Sequence, residues 1–449
     1  MSRSSAPLYP EFAKILADYA LSARAEAIVD KGHSIDALVN WVACAIGGGI
    51  RPAVDAAARG LSAMSAPGGS TGLAHAQPLS IADTIFLDCL SSCILAYNDT
   101  HLETILHPTG PIASALLGLS RLRPVSGAEF LTSLSVGMEV QCRLGLAIAS
   151  AGAASKRGWF STGLAAGVGV VAAIGRLEGF TADQMLSGFG LAAASGCGNR
   201  GTHASSGAAF VPAIAAENGF KAAMLAAAGY DCSPHALDGA NGLVPLVANF
   251  PAWNRALRGL GETSEAALTA FKPYPGGIIL HPAIDACLDL LHKHGVDPAQ
   301  IATLIFSVAD AAFELGNNKG PQDAFEASVS LYHWASVAIV TGRAGIDGVA
   351  PGAFADPHIR AFEERIQVES DSTLAPDQCR LVANLADGRQ IDITIEHATG
   401  SIDKPMRSTD IDQKFRALVG MRRNSSQTEA LLSLCRGVLD LADVSVLMN

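Results

Sequence analysis

Apolar positions recur at helical spacing through the first 265 residues. Phe12, Ile15, Leu16 and Ala20 share one face, the periodicity of an amphipathic helix. Residues 11–60 predict two helices, the second over 35–46 and stopped by Gly47-Gly48-Gly49. Further helices are predicted over 80–95, 112–122, 127–146, 163–178 and 208–228, and nothing in this half alternates convincingly with period two. The character changes after Phe271-Lys272-Pro273-Tyr274-Pro275-Gly276-Gly277, a linker-like run. Beyond it come a helix over 282–294, a strand over 301–309 and another helix over 322–340. Residues 380–395 then alternate around Asp387-Gly388, the strongest hairpin signal in the chain. Residues 411–447 return to helix. The expected fold class is mainly α with a separate α+β part.

A chain of 449 residues has room for two domains. Aromatic residues are only 6% while Ala and Gly are abundant, which favours closely packed helices over an aromatic-filled sandwich. The net charge is −11, with no basic run longer than a pair such as Arg422-Arg423, so no nucleic-acid partner is expected. An anionic substrate would need a locally basic pocket. The nine cysteines are odd in number, irregularly spaced and lack a CxxC, so neither a disulfide framework nor a zinc site is expected and a reducing cytoplasm is the default. The N-terminus, MSRSSAPLYPEF, has no cationic start followed by an apolar core. The longest apolar stretch, 164–174, falls short of the ~20 residues a membrane helix needs. A cytoplasmic protein with no membrane partner is expected.

Three formal motifs fail their context. Gly68-Gly69-Ser70-Thr71-Gly72 matches GxSxG without a strand before it or a helix after it. Gly167/Gly169/Ala172 and Gly188/Gly190/Ala193 match GxGxxA but follow no strand, so they read as helix-packing glycines. The twelve histidines include no HExxH or comparable grouping, so no metal and no cofactor is expected.

Chemistry concentrates elsewhere. The run SGCGNRGTHASSGAAFVPAIAAENG, 195–219, is built of small residues but carries Arg200 and His203. A fixed cation beside an imidazole suits a small carboxylate, although close-packed helices also favour Gly, Ala and Ser. Asn98, Asp99, Thr100, His101 and His107 lie within ten residues between apolar helices. They could act on a substrate, or Asp99 and Thr100 could cap a helix. Lys272 and His281 flank the Pro/Gly-rich linker, where a hinge or lid would sit. Tyr332 and His333 occupy an otherwise apolar helix and point about 100° apart, so one of them is expected to face a cleft.

An ordered set of segments resembles the MmgE/PrpD family. It comprises NDTH…HPTG (98–110), GMEVQCRLG (137–145), SGCGNRGTHASSGAA (195–209), DGANG (238–242), FKPYPGG…HPAIDA (271–286) and ASVSLYHWASVA (327–338). The resemblance implies a large all-α domain over 1–266, completed by helices in 400–449, and a smaller α+β lid domain over 267–399. It also implies a homodimer and a metal-free site between the domains that acts on small di- or tricarboxylates. The family's aspartate–threonine pair falls on Asp99 and Thr100, its HP histidine on His107, a lysine on Arg200 with the following histidine at His203, a lysine on Lys272 and a histidine on His281. There are departures. An expected aspartate is Ala96, the next is Asn98, an expected histidine is Phe160, and the late tyrosine aligns with His333 beside Tyr332. Arg200 keeps the charge of the family's lysine but cannot give up a proton.

The implied chemistry removes a proton α to a carboxylate, with a base, fixed cations and an acid. His107, His203, Asp99 and Lys272 are the expected catalytic groups. Thr100, Arg200, His281, His333 and Tyr332 are expected to bind substrate. The activity expected is a lyase, either dehydratase or decarboxylase. An epimerase of an iminodisuccinate-like dicarboxylate, or a non-catalytic carboxylate binder, is the alternative.

Overall fold

Glycine sets how closely the helices of the larger unit approach. In a computed structural model that describes residues 11–24, 30–64, 68–149, 158–203, 205–350 and 352–448, a Cβ on Gly169 would fall 2.7 Å from the carbonyl oxygen of Gly137 on the neighbouring helix. A Cβ on Gly188 would meet Val171 at 2.6 Å. Two of the glycines that mimic a dinucleotide motif are therefore contact points between helices. Residues 1–10, where the leader reading falls, and 65–67, in the loop before the GxSxG match, lie outside the described residues.

Chain contacts divide the molecule into two units. The larger holds the described residues up to Ile94, Asn98–Thr269 and those from Ser408 onward. Its long helices are Phe12–Ser22, Lys31–Gly48, Pro52–Met64, Ile81–Cys93, Thr109–Leu119, Gly127–Ile148, Ser161–Glu178, Ala182–Ala194 and Gly207–Ala227, joined by Ser408–Val419 and Ser425–Arg436. Local sequence explains where they start. Ser126 with Glu129, Thr181 with Gln184 and Asn424 with Gln427 each form a reciprocal capping box. Ser161–Glu178 is buried without a break from Thr162 to Gly175, as expected of a central helix that is apolar all round. The C-terminal helices are tied in by polar contacts. Arg436 pairs with Asp36 and Asp412, Ser408 Oγ donates to Asp36 at 2.9 Å, and Val444 N–H donates to the Val125 carbonyl at 2.9 Å.

The smaller unit comprises Leu95–Tyr97 and Ala270–Arg407. Its sheet runs Ile366–Ser370, Ile301–Val308, Cys379–Leu385, Gln390–Ile395. The last three strands are antiparallel, with Phe306 opposite Leu381 and Leu381 opposite Ile393. Gly388, at φ 88°, turns the expected hairpin. The helices His281–His292 and Leu331–Thr341 share a core with these strands, built around Ile284, Phe306, Trp334 and Leu381.

The structure differs from the periodicity in three places. Residues 11–60 hold the start of a third helix, Pro52–Met64, because the chain restarts after Gly49. The helix expected over 322–340 is two, Ala324–Ser328 and Leu331–Thr341, since Ser330 takes an extended conformation and caps the second. The strand Ile366–Ser370, parallel to Ile301–Val308, is mostly exposed at the sheet edge, and its alternation rests on two apolar residues, Ile366 and Val368, too few to stand out. Ser70 sits in an isolated bridge to Leu79, not a strand–helix elbow. No single helix among the described residues is long and apolar enough to cross a membrane.

Candidate active site

Three helices of the larger unit begin beside residues singled out above. His107 lies two positions before Thr109–Leu119, Phe160 is the N-cap of Ser161–Glu178, and His203 lies four before Gly207–Ala227. Their rings meet. The Phe160 ring centroid lies 6.2 Å from that of His107 and 4.8 Å from that of His203, both at 86°. Short main-chain bonds create the arrangement. Phe160 N–H donates to the Gly198 carbonyl at 3.1 Å, Cys197 N–H to Gly163 at 3.1 Å and Arg200 N–H to Gly158 at 2.7 Å. A Cβ on Gly163 would lie 1.9 Å from the Cys197 oxygen. Gly198 takes φ +112°, a conformation open to glycine. Gly163 and Gly198 therefore let residues 197–200 lie against the start of the helix Ser161–Glu178. Helix N-termini carry unsatisfied N–H groups and a partial positive charge, which favours anions.

The 98–107 segment carries its own scaffold. Asp99 is buried, and its Oδ2 accepts from Thr109 N–H at 3.1 Å and from Thr109 Oγ1 at 2.6 Å. Its side chain thus anchors the first turn of the helix Thr109–Leu119. Its main-chain carbonyl lies 2.7 Å from His107 Nδ1. A carbonyl can only accept, so Nδ1 carries the proton and Nε2 is the nitrogen that gains or loses one. Thr100 Oγ1 lies 3.3 Å from the same Nδ1, and His107 N–H donates to Thr162 Oγ1 at 3.1 Å. His101 is buried in the same loop, with Nδ1 2.7 Å from Thr104 Oγ1 and Nε2 3.4 Å from Glu265 Oε2. His101, against its burial, holds the Glu265 carboxyl below the usual range, helped by Arg255 and Arg143.

Arg200 is exposed on the short turn Arg200–Thr202, and His203 is half-buried. Burial, and then the Arg200 charge, lower the His203 pKa from its ordinary value of 6.5, so this imidazole is neutral at neutral pH. A further charged group escaped the sequence reading. Lys414, on Ser408–Val419, is buried, and its amine is brought down to about 8 by burial against the opposing pull of Cys44 and Asp99. The signal was present: Ile411, Lys414, Phe415 and Leu418 follow the i, i+3, i+4, i+7 stripe, with a lysine in an otherwise apolar row.

The other candidates fall in the smaller unit. Lys272 is buried and donates to the carbonyls of Ala96 at 3.1 Å and Gly276 at 3.2 Å. Ala96, at φ +49°, also accepts from Gly276 N–H at 3.0 Å, so this position contributes through its main chain. His281 is fully buried, its ring edge-on to Tyr274 at 5.3 Å. Tyr332 donates its hydroxyl to Asn317 Oδ1 at 3.0 Å. His333 is fully buried, with Nε2 2.7 Å from the Gly348 carbonyl and Nδ1 3.7 Å from Glu363 Oε1. The structure thus brings Asp99, Thr100, His107, Arg200 and His203 into the larger unit, while Lys272, His281, Tyr332 and His333 belong to the smaller. Among the described residues, the one grouping with metal-ligand spacing is the largely exposed Asp377, His397 and Asp403 of the smaller unit.

The larger unit thus sets the imidazoles of His107 and His203 near the starts of helices, with Arg200 on an exposed turn three residues before His203. The chain's family follows from comparison. Residues 12–256 match the MmgE/PrpD N-terminal domain and residues 274–436 the MmgE/PrpD C-terminal domain. The chain belongs to the MmgE/PrpD family. It is similar to cis-aconitate decarboxylase of Homo sapiens, 22% identical over 355 residues that span 76% of this chain and 73% of that protein. It is also similar to cis-aconitate decarboxylase of Mus musculus, 23% identical over 361 residues, 76% of this chain and 72% of that one.

Proposed function

We propose that this chain is a metal-independent lyase of the cytoplasm that acts on a small di- or tricarboxylate by proton transfer next to a carboxylate. The observation that carries the reading is the Phe160 junction, where His107 and His203 flank one ring at the starts of three helices. Helix N-termini and Arg200 favour the substrate's carboxylates. His203, held neutral by burial and by Arg200, is the base that removes the proton α to a carboxylate. The electron pair left behind spreads into that carboxylate as an enolate, which the guanidinium of Arg200 stabilises. His107, with Nδ1–H fixed on the Asp99 carbonyl, presents Nε2 to deliver a proton. In a dehydration that proton leaves with the hydroxyl as water. In a decarboxylation the carbon–carbon bond breaks instead, and His107 protonates the carbanion left by CO2. Asp99 acts by position: its carboxylate holds Thr109 while its carbonyl orients His107. Thr100 completes the polar set of the larger unit, with its hydroxyl 3.3 Å from His107 Nδ1.

Relatives named cis-aconitate decarboxylase support the lyase class and put cis-aconitate on the substrate panel. The test is proton NMR of the purified chain in D2O with citrate, 2-methylcitrate, cis-aconitate and iminodisuccinate. New vinyl signals with loss of water or CO2 are expected. Deuterium at an α carbon without loss of mass would replace the lyase with an epimerase. Binding without any turnover would leave a carboxylate-binding protein.

A further inference from the structure

We infer that Phe160 is a specificity-determining residue, and that the substrate turns an uncharged, non-hydrogen-bonding face, an alkyl group or bare C–H surface, toward it. The inference rests on the carboxylate reading above and narrows its substrate class. Phe160 is 6% exposed and its ring is the one both imidazoles touch, edge-on at 6.2 and 4.8 Å. The stretch between the two proton-handling groups is therefore phenyl, which neither donates nor accepts a conventional hydrogen bond. A carboxylate or hydroxyl pressed against it would lose its water and gain no partner.

The position is fixed as well as apolar. Phe160 N–H is held by the Gly198 carbonyl at 3.1 Å, and the Phe160 carbonyl accepts from Gly163 N–H at 3.0 Å. Phe160 is the N-cap of Ser161–Glu178 and makes no side-chain cap bond, where Ser, Thr, Asp or Asn would. Arg200 lies three residues before His203 on the exposed turn. A substrate whose charge meets Arg200 and whose carbon skeleton meets Phe160 satisfies both.

The experiment compares malate with citramalate, its 2-methyl homologue, by calorimetric titration of the wild-type chain and of Phe160→His and Phe160→Leu. The wild type is expected to bind citramalate about tenfold or more tighter, the scale of one methyl group in an apolar pocket. Phe160→Leu should keep that preference, and Phe160→His should lose or reverse it while its melting temperature stays near wild type. Equal affinities in the wild type, or a preference that Phe160→His leaves intact, would overturn the inference alone. Failure of both acids to bind would overturn the carboxylate reading and this inference with it.

Discussion

Replacing Asp99 by Asn keeps the shape of the side chain and removes its charge. The carboxylate is 1% exposed and accepts both the N–H and the hydroxyl of Thr109 at one oxygen. Hydrogen bonds to a charged acceptor contribute about 1.5–3 kcal/mol and neutral ones about 0.5–1.5. The amide oxygen of Asn can accept the same two donors, so the difference comes to roughly 2–3 kcal/mol in total. Asp99→Ala leaves both donors without that acceptor and should cost more, about 3–5 kcal/mol. Urea unfolding at pH 7 measures the loss, and steady-state kinetics on the NMR-identified substrate supplies the companion number. His107 meets the main-chain carbonyl of Asp99, which Asn retains. Asp99→Asn should therefore lower kcat by less than about tenfold, well below the effect of removing a proton-transfer group. Unchanged stability would refute the anchoring role. A kcat loss as large as that of His107→Ala would refute the positional role and make the carboxylate itself a proton carrier.

Three further outcomes follow from the same contacts. Lys414→Met removes a buried amine lowered from 10.5 to about 8 and should stabilise the fold by up to roughly 3 kcal/mol at pH 7. Between about pH 8 and 10.5 the folded wild type has released a proton that the unfolded chain retains, so wild-type stability should climb across that window and the Met variant's should stay flat. The acid limb of kcat/KM should lie below pH 6.5, since burial and Arg200 depress the His203 imidazole from that value, and Arg200→Ala should move the limb upward. His333→Phe should cost about 2–4 kcal/mol in the smaller unit, because it removes the Gly348 bond and leaves Glu363 buried beside an apolar ring. A loss of substrate affinity at unchanged stability would instead return His333 to the binding site.

The helices and the hairpin were legible because their signals are local. Capping boxes, glycine stops and the Asp387-Gly388 turn act within a few residues. The edge strand Ile366–Ser370 was not legible, since its pairing partner lies some 60 residues away and only Ile366 and Val368 give it an apolar face. Within the site, the types of the residues were readable and their partners were not. Asp99 and Thr100 stood out as polar groups between apolar helices, yet that Asp99 would use its carbonyl for His107 and its carboxylate for Thr109 depends on the turn that joins them. Phe160 was noted as a departure from the family. Its contact with both imidazoles depends on the pairing of 158–163 with 197–200. The burial of Lys414 depends on where a helix far along the chain packs, although its place in an apolar stripe was visible.

The most direct measurement is kcat and substrate Kd for His107→Ala and His203→Ala, each taken on the substrate identified by NMR. Each variant is expected to lose about 10²–10⁴ in kcat while Kd stays within a few-fold of wild type. Turnover near the wild-type rate in either variant, or a loss carried wholly by Kd, would contradict the assignment of proton transfer to these two histidines.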